Sequence, residues 1–169
     1  MLIYDPAFDP SHFVFRLLLI LSKVANSTIE LDKYRIIDFY LIYPIALTNF
    51  RAPGTSFKEL KRDLKATESK YNAIKNPVPH FMKVEILQRA AINHVTALGF
   101  LYKDKLDQQI LCRTAKELPE ALNERLLSAT TNLTSIEEFI LGDILDLPLL
   151  GSDGLKARSG LIEHKYDAI

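Results

Sequence analysis

The stretch Val95-Thr96-Ala97-Leu98-Gly99-Phe100-Leu101-Tyr102, followed after the polar connection 103–109 by Ile110-Leu111-Cys112, decides the fold. Upstream of it Val84, Leu87, Ala91, Val95 and Leu98 recur at helical spacing, so a helix arrives at Gly99 and stops there. Glycine at that point suits a left-handed helix C-cap, with Phe100 as the accompanying apolar contact. Phe100–Tyr102 and Ile110–Cys112 are short, apolar and rich in β-formers, which suits two strands of a small hairpin. Helices, a glycine stop and then a short hairpin are the outline of a winged helix-turn-helix domain.

Working toward the N-terminus, the rigid Asn76-Pro77-Val78-Pro79 breaks the chain before that helix. Ahead of it lies a helix with a narrow seam of Phe57, Leu60, Leu64, Tyr71 and Ile74, opened by Ser56 and Glu59 as a capping box. Residues 45–55 read as a loop around Pro44, Pro53 and Gly54. Before the loop, Asp32 can cap a helix that runs to about Tyr43 and is crowded with Tyr34, Ile36, Ile37, Phe39, Tyr40, Leu41 and Ile42. Within it Arg35 and Asp38 stand three apart, close enough to form an ion pair. The first helix has Asp9 as N-cap and Pro10 at the favoured first position. It is apolar on most sides, with His12, Arg16 and Lys23 as a polar stripe.

Toward the C-terminus, one helix starts at Pro119 and carries Leu122, Leu126, Leu127 and Leu133. Another opens with Ser135 and Glu138 as a capping box and packs through Ile136, Phe139, Ile140, Ile144 and Leu145, with Pro148 ending it. The fold class is therefore mainly α: a winged helix-turn-helix-like domain over 1–115 with a short β-hairpin, and a C-terminal helical extension and tail over 116–169 on the same core. The tail is unusual for a chain end. Residues 151–167 mix Gly151, Gly154 and Gly160 with Lys156, Arg158 and the apolar pair Leu161-Ile162, which fits a segment ordered by contact.

Composition narrows the function classes. Lys plus Arg equals Asp plus Glu at 21 each, so no global field favours nucleic acid. The distribution is uneven, with seven cations against three anions over 51–75 and seven anions against two cations over 116–146. Opposed charged faces suit docking to partners, as well as plain solvated surface. Cys112 stands alone, so no disulfide framework or thiol metal site follows, and a reducing cytoplasm fits. The apolar run 17–21 is far short of a membrane span. His12, His80, His94 and His164 lie in no metal-ligand spacing, and His94 sits beside an apolar helical face as a core or boundary residue. There is no phosphate loop and no nucleophile turn; Glu137, Glu138, Asp143 and Asp146 read as a solvated face. An enzyme is not expected, nor a cofactor. As a recognition helix, 80–98 offers only Lys83, Gln88, Arg89 and Asn93 to DNA, which is thin.

Three blocks carry a resemblance: Tyr4-Asp5-Pro6-Ala7-Phe8-Asp9-Pro10, Arg35-Ile36-Ile37-Asp38-Phe39-Tyr40-Leu41 with Pro44, and Gly154-Leu155-Lys156-Ala157-Arg158-Ser159-Gly160-Leu161. In this order and spacing the chain resembles the middle components of bacterial ABC-three-component systems, of the Lamassu-like type associated with an SMC-like ATPase. The resemblance implies a small winged-helix-like, non-catalytic adaptor in the cytoplasm. Its implied partners are an SMC-like ABC ATPase and an effector subunit, nuclease or other, in defence against phage or plasmids. DNA contact within such a complex is open. Tyr4, Asp5, Phe8, Arg35, Asp38, Lys156 and Arg158 are then the candidate interaction residues, as docking or fold-stabilising elements. A winged-helix transcriptional regulator is the alternative.

Overall fold

A computed structural model describes residues 9–51, 55–67 and 73–163, the side chains of residues 55 and 56 excepted. The lead-in block with Tyr4, Asp5 and Phe8, the loop residues Pro53 and Gly54, the seam residue Tyr71, and His164 lie outside the described residues, and the capping role of Ser56 falls with them. The fold is mainly helical, with one short antiparallel β-pair, as the pattern requires.

Helix α1 (Pro10–Lys23) begins where Asp9 accepts from the Ser11 amide at 2.8 Å. Its residues 17–21 are all buried, so this helix is enclosed on nearly every side. A short 3-10 turn (Ala25–Ser27) leads into strand β1 (Thr28–Glu30) and directly into α2 (Leu31–Ile42). Asp32 does not cap α2. It lies in the first turn of a helix that starts one residue earlier from Glu30, and its carboxylate is engaged by Arg35 and Lys156 instead. Residues 36–40 of α2 are buried without interruption. They pack edge-on, with Phe39 against Tyr40 and Phe81, and Tyr40 against Phe50.

Pro44–Asn49 forms a 3-10 turn, where the sequence suggested an irregular loop. Helix α3 (Thr55–Thr67) presents Phe57 and Leu64 to this chain's own core, and Phe57 stacks on Phe139 with centroids 5.3 Å apart. Helix α4 (Val78–Ala97) buries Phe81, Val84, Gln88, Ala91, Ile92 and Val95. Its end is a Schellman motif: Gly99 has φ +79°, its amide donates to Thr96 O at 2.9 Å, and the Phe100 amide donates to Val95 O at 3.1 Å. Phe100 is buried, but Leu98 is exposed, because the last turn has moved past the core.

After the short α5 (Lys103–Asp107), strand β2 (Ile110–Cys112) pairs antiparallel with β1, Thr28 opposite Cys112 and Glu30 opposite Ile110. The segment around Leu101 joins β2's other side through a single bridge to Arg113, with the Tyr102 amide donating to Cys112 O and the Thr114 amide to Phe100 O. The second apolar segment is thus a strand, and its main ladder partner is Thr28–Glu30, eighty residues upstream.

Helix α6 (Glu120–Thr131) packs on α1 through Leu126, while Leu127 is exposed. Helix α7 (Ser135–Phe139) is capped one residue earlier than expected. Thr134 accepts from the Glu137 amide, and Glu137 accepts from Thr134 N at 2.8 Å. A π-helical turn (Ile140–Ile144) and α8 (Leu155–Ser159) complete the chain, both against α2.

Candidate functional site

The second-helix block and the tail meet in space, and polar residues of α1 and α4 join them. Asp38 is fully buried on α2 and accepts from Arg16 Nε at 2.5 Å and from Gln88 Nε2 at 2.8 Å. Gln88 Nε2 also donates to the Arg35 carbonyl at 3.1 Å. Arg35 does not pair with Asp38. Its guanidinium lies over the Phe81 ring and reaches Glu85 at 2.8 Å and Asp32 at 3.3 Å. The reason is geometric: Asp38 faces α1 and α4 from within α2, whereas Arg35 emerges toward the outer edge of α4. Arg16, read from sequence as part of a polar stripe, and Gln88, read as a group on the outward face of its helix, are both drawn inward by this carboxylate. Burial raises the Asp38 carboxyl above its ordinary value of 3.8, opposed by Arg16 and by the hydrogen bonds from Arg16 and Gln88. Burial, with Asp38 nearby, also raises Tyr34 well above the usual tyrosine value.

The tail folds back on its own domain. Lys156 is only 8% exposed and pairs with Asp32 at 3.1 Å. Arg158 donates to the Arg51 carbonyl at 2.7 Å, and to Asp153 through both O at 2.6 Å and Oδ1 at 2.7 Å. In return the Arg51 amide donates to Arg158 O at 3.1 Å and its guanidinium to Ala157 O. Leu155, Ala157 and Leu161 are buried beneath these bonds. The ion pairs run in sequence Lys156–Asp32–Arg35–Glu85–Arg89, from the tail to the outer surface of α4.

That outer surface is where the polar framework ends and solvent begins. Met82 is 55% and Ile86 72% exposed, and Lys83, Arg89, Ala90, Asn93 and His94 surround them. His94 is exposed rather than core, since it stands at the edge of the buried side of α4, one turn beyond Ala91, where the helix borders the cleft toward α1 and α6. A cleft of about 690 Å³ lies on one side, between α4, α6 and the start of α1; one of about 380 Å³ lies on the other, between α4 and α5. Among the described residues no three His, Cys, Asp or Glu gather as metal ligands, and no helix is long and apolar enough to cross a membrane. Asp38, among the described residues the one fully buried carboxylate, is closed off by an arginine and an amide.

The sequence matches the family model for the ABC-three component (ABC-3C) system Middle Component 5 over residues 2–167. The chain belongs to that family. No curated protein and no solved structure matches it. The match spans all three sequence blocks, and in this middle component the second and third of them are joined through Asp32, which pairs with both Arg35 and Lys156. It is a component of an ABC-3C system, and its partners are other components of such a system. Reading the sequence did not find Glu85, Gln88 or Arg16 as members of the network. Their only signal was being polar on helices with apolar neighbours, which most solvent-facing residues share.

Proposed function

We propose that this middle component is a non-catalytic adaptor linking an SMC-like ABC ATPase to an effector subunit, nuclease or other, in a cytoplasmic defence complex against phage or plasmids. The observation that carries the reading is the outer face of α4. In a winged-helix arrangement, read as α1, β1, α2 and α4 followed by the segment around Leu101 and β2 as the wing, this helix makes the contacts. Its most exposed centre is Met82 and Ile86, residues suited to a protein surface and poorly suited to phosphate. Arg35, Asp38, Lys156 and Arg158 support the reading as residues that hold the frame and tail in place, since their charged groups face partners within the chain. Tyr4, Asp5 and Phe8 remain contact candidates by the family resemblance. Co-expression with the ATPase and effector of its own system should yield a stable ternary complex by size-exclusion chromatography with light scattering. Failure of the wild-type chain to join either subunit would sink the adaptor role.

The regulator alternative has Lys83, Arg89 and Asn93 on the same face in its favour. It requires salt-dependent binding of the isolated chain to duplex DNA, with affinity falling steeply as salt rises. An adaptor alone gives no discrete shifted band in a mobility-shift assay.

A further inference from the structure

We infer that the ridge of α4 centred on Ile86 seats an acidic amphipathic helix from another component of the same system. The inference rests on the adaptor reading and adds the chemistry and position of the contact. On α4, Met82, Ile86, Arg89 and Asn93 follow one another at i, i+4, i+7 and i+11, directly opposite the buried side of Val84, Gln88 and Val95. Ile86 stands at the centre of that exposed arc and is the most exposed large apolar side chain of the described residues. From Met82 to Asn93 the ridge rises about 16 Å, three turns, the length over which a helix laid alongside makes its anchor contacts. The two clefts that flank the ridge give such a helix a groove on either side.

Charge selects the occupant. Glu85 is the one anion of this stretch of α4, and it is shared between Arg35 at 2.8 Å and Arg89 at 3.0 Å. Arg35 is also shared with Asp32, so the run Lys156–Asp32–Arg35–Glu85–Arg89 sets three cations against two anions, and its surplus positive charge ends on the exposed Arg89, beside the exposed Lys83. Residues 103–107 of α5 cancel, with two cations and two anions. The ridge is therefore apolar at its centre and cationic at its rim, and complementary to a helix with apolar residues at i and i+3 or i+4 flanked by Asp or Glu. DNA fits it poorly, because phosphates would have to cross Met82 and Ile86. Among the described residues a second copy of this chain offers the outer side of α6, with Leu127, Glu120 and Glu124 exposed, as a surface of that chemistry, and it is an outcome of the test.

The test uses the full chain with the other components of its own system, expressed and purified together, and reads affinity by titration at low and moderate salt. Ile86→Asp is expected to weaken assembly at least about tenfold. Lys83→Glu with Arg89→Glu is expected to weaken it and to flatten its salt dependence. All three sites are solvent-facing, so Ile86→Asp should keep the wild-type thermal midpoint, and the charge reversal, which loses the exposed Arg89–Glu85 pair, should lower it by no more than about 2–4 °C. Assembly of Ile86→Asp at wild-type affinity overturns the inference while leaving the adaptor role standing. So does dimerisation of the chain alone that Ile86→Asp abolishes, or retention of duplex DNA that the charge reversal abolishes. A wild-type chain that assembles with nothing overturns the adaptor role, and this inference with it.

Discussion

Gly154→Ala offers a sharp test of whether the tail is an integral part of the fold. Gly154 precedes α8 with φ −77°, a value alanine adopts freely, so backbone preference is not the obstacle. Space is. A Cβ on Gly154 would lie 2.6 Å from the Leu150 carbonyl carbon and 2.8 Å from Leu149 O, both backbone atoms that cannot rotate away. The turn must open, and that turn is closed by the Leu155 amide on Pro148 O at 2.8 Å and the Lys156 amide on Leu149 O at 3.2 Å. Overpacking of this kind costs about 1–3 kcal/mol. Each loosened backbone hydrogen bond adds about 0.5–1.5 kcal/mol. A loss of roughly 3 kcal/mol is expected, and at about 2–4 °C per kcal/mol for a chain of this size the midpoint should fall by roughly 6–12 °C. Gly142→Ala is the matched control. Nothing lies within 4 Å of a Cβ there and the residue sits in a helical turn, so it should be neutral or stabilising by up to about 1 kcal/mol. The assay is thermal unfolding by circular dichroism, with hydrogen exchange at the Arg51 amide, which donates to Arg158 O. In Gly154→Ala that amide should exchange faster. A Gly154→Ala midpoint within a degree of wild type, with Arg51 protection unchanged, would refute the claim that the tail is locked by this close approach.

Other outcomes follow from the same structure. Because burial lifts Asp38 above its ordinary 3.8, the folded chain binds that proton more readily than the unfolded one. Its stability contribution is therefore full below 3.8 and is lost as pH rises through the higher folded value. Asp38→Asn, which cannot ionise, should gain on wild type in urea unfolding as pH rises above 3.8; the opposite trend would contradict the assignment. Thr134→Ala should cost about 1 kcal/mol, or roughly 2–4 °C, by removing the cap on Glu137 N. Ser135→Ala, which removes no cap, should leave the midpoint where it is. Lys156→Met should increase hydrogen exchange across residues 155–160 through loss of the pair with Asp32, and unchanged exchange there would argue that apolar burial alone holds the tail.

Helix boundaries were largely legible along the chain. Asp9 before Pro10, the break at Pro77, and Gly99 before Phe100 each act on the backbone within a few residues, so their effect does not depend on distant packing. The apolar density of residues 17–21 and 36–40 likewise announced two enclosed helices. Cap positions slipped by a residue at Thr134, where Thr and Ser stand side by side and either could take the role. The resemblance carried by three short blocks pointed to the family that the whole-length match shows.

Tertiary structure alone decided which polar residues meet. Arg35 and Asp38 stand three apart on one helix, and spacing makes them partners. Packing gives Arg16 and Gln88 to Asp38, and Glu85 to Arg35, because a buried charge takes the donors that neighbouring helices bring to it. The partner of β2 was equally out of reach, since β1 is three residues long and lies eighty positions away. The same holds for the tail. Its glycines and cations said it would be ordered by contact, and only the fold shows Lys156 on Asp32 and Arg158 on Arg51. Local sequence sets backbone conformation through sterics and nearby hydrogen bonds. Pairing across helices depends on which faces turn toward each other, and that is settled only when the whole core closes.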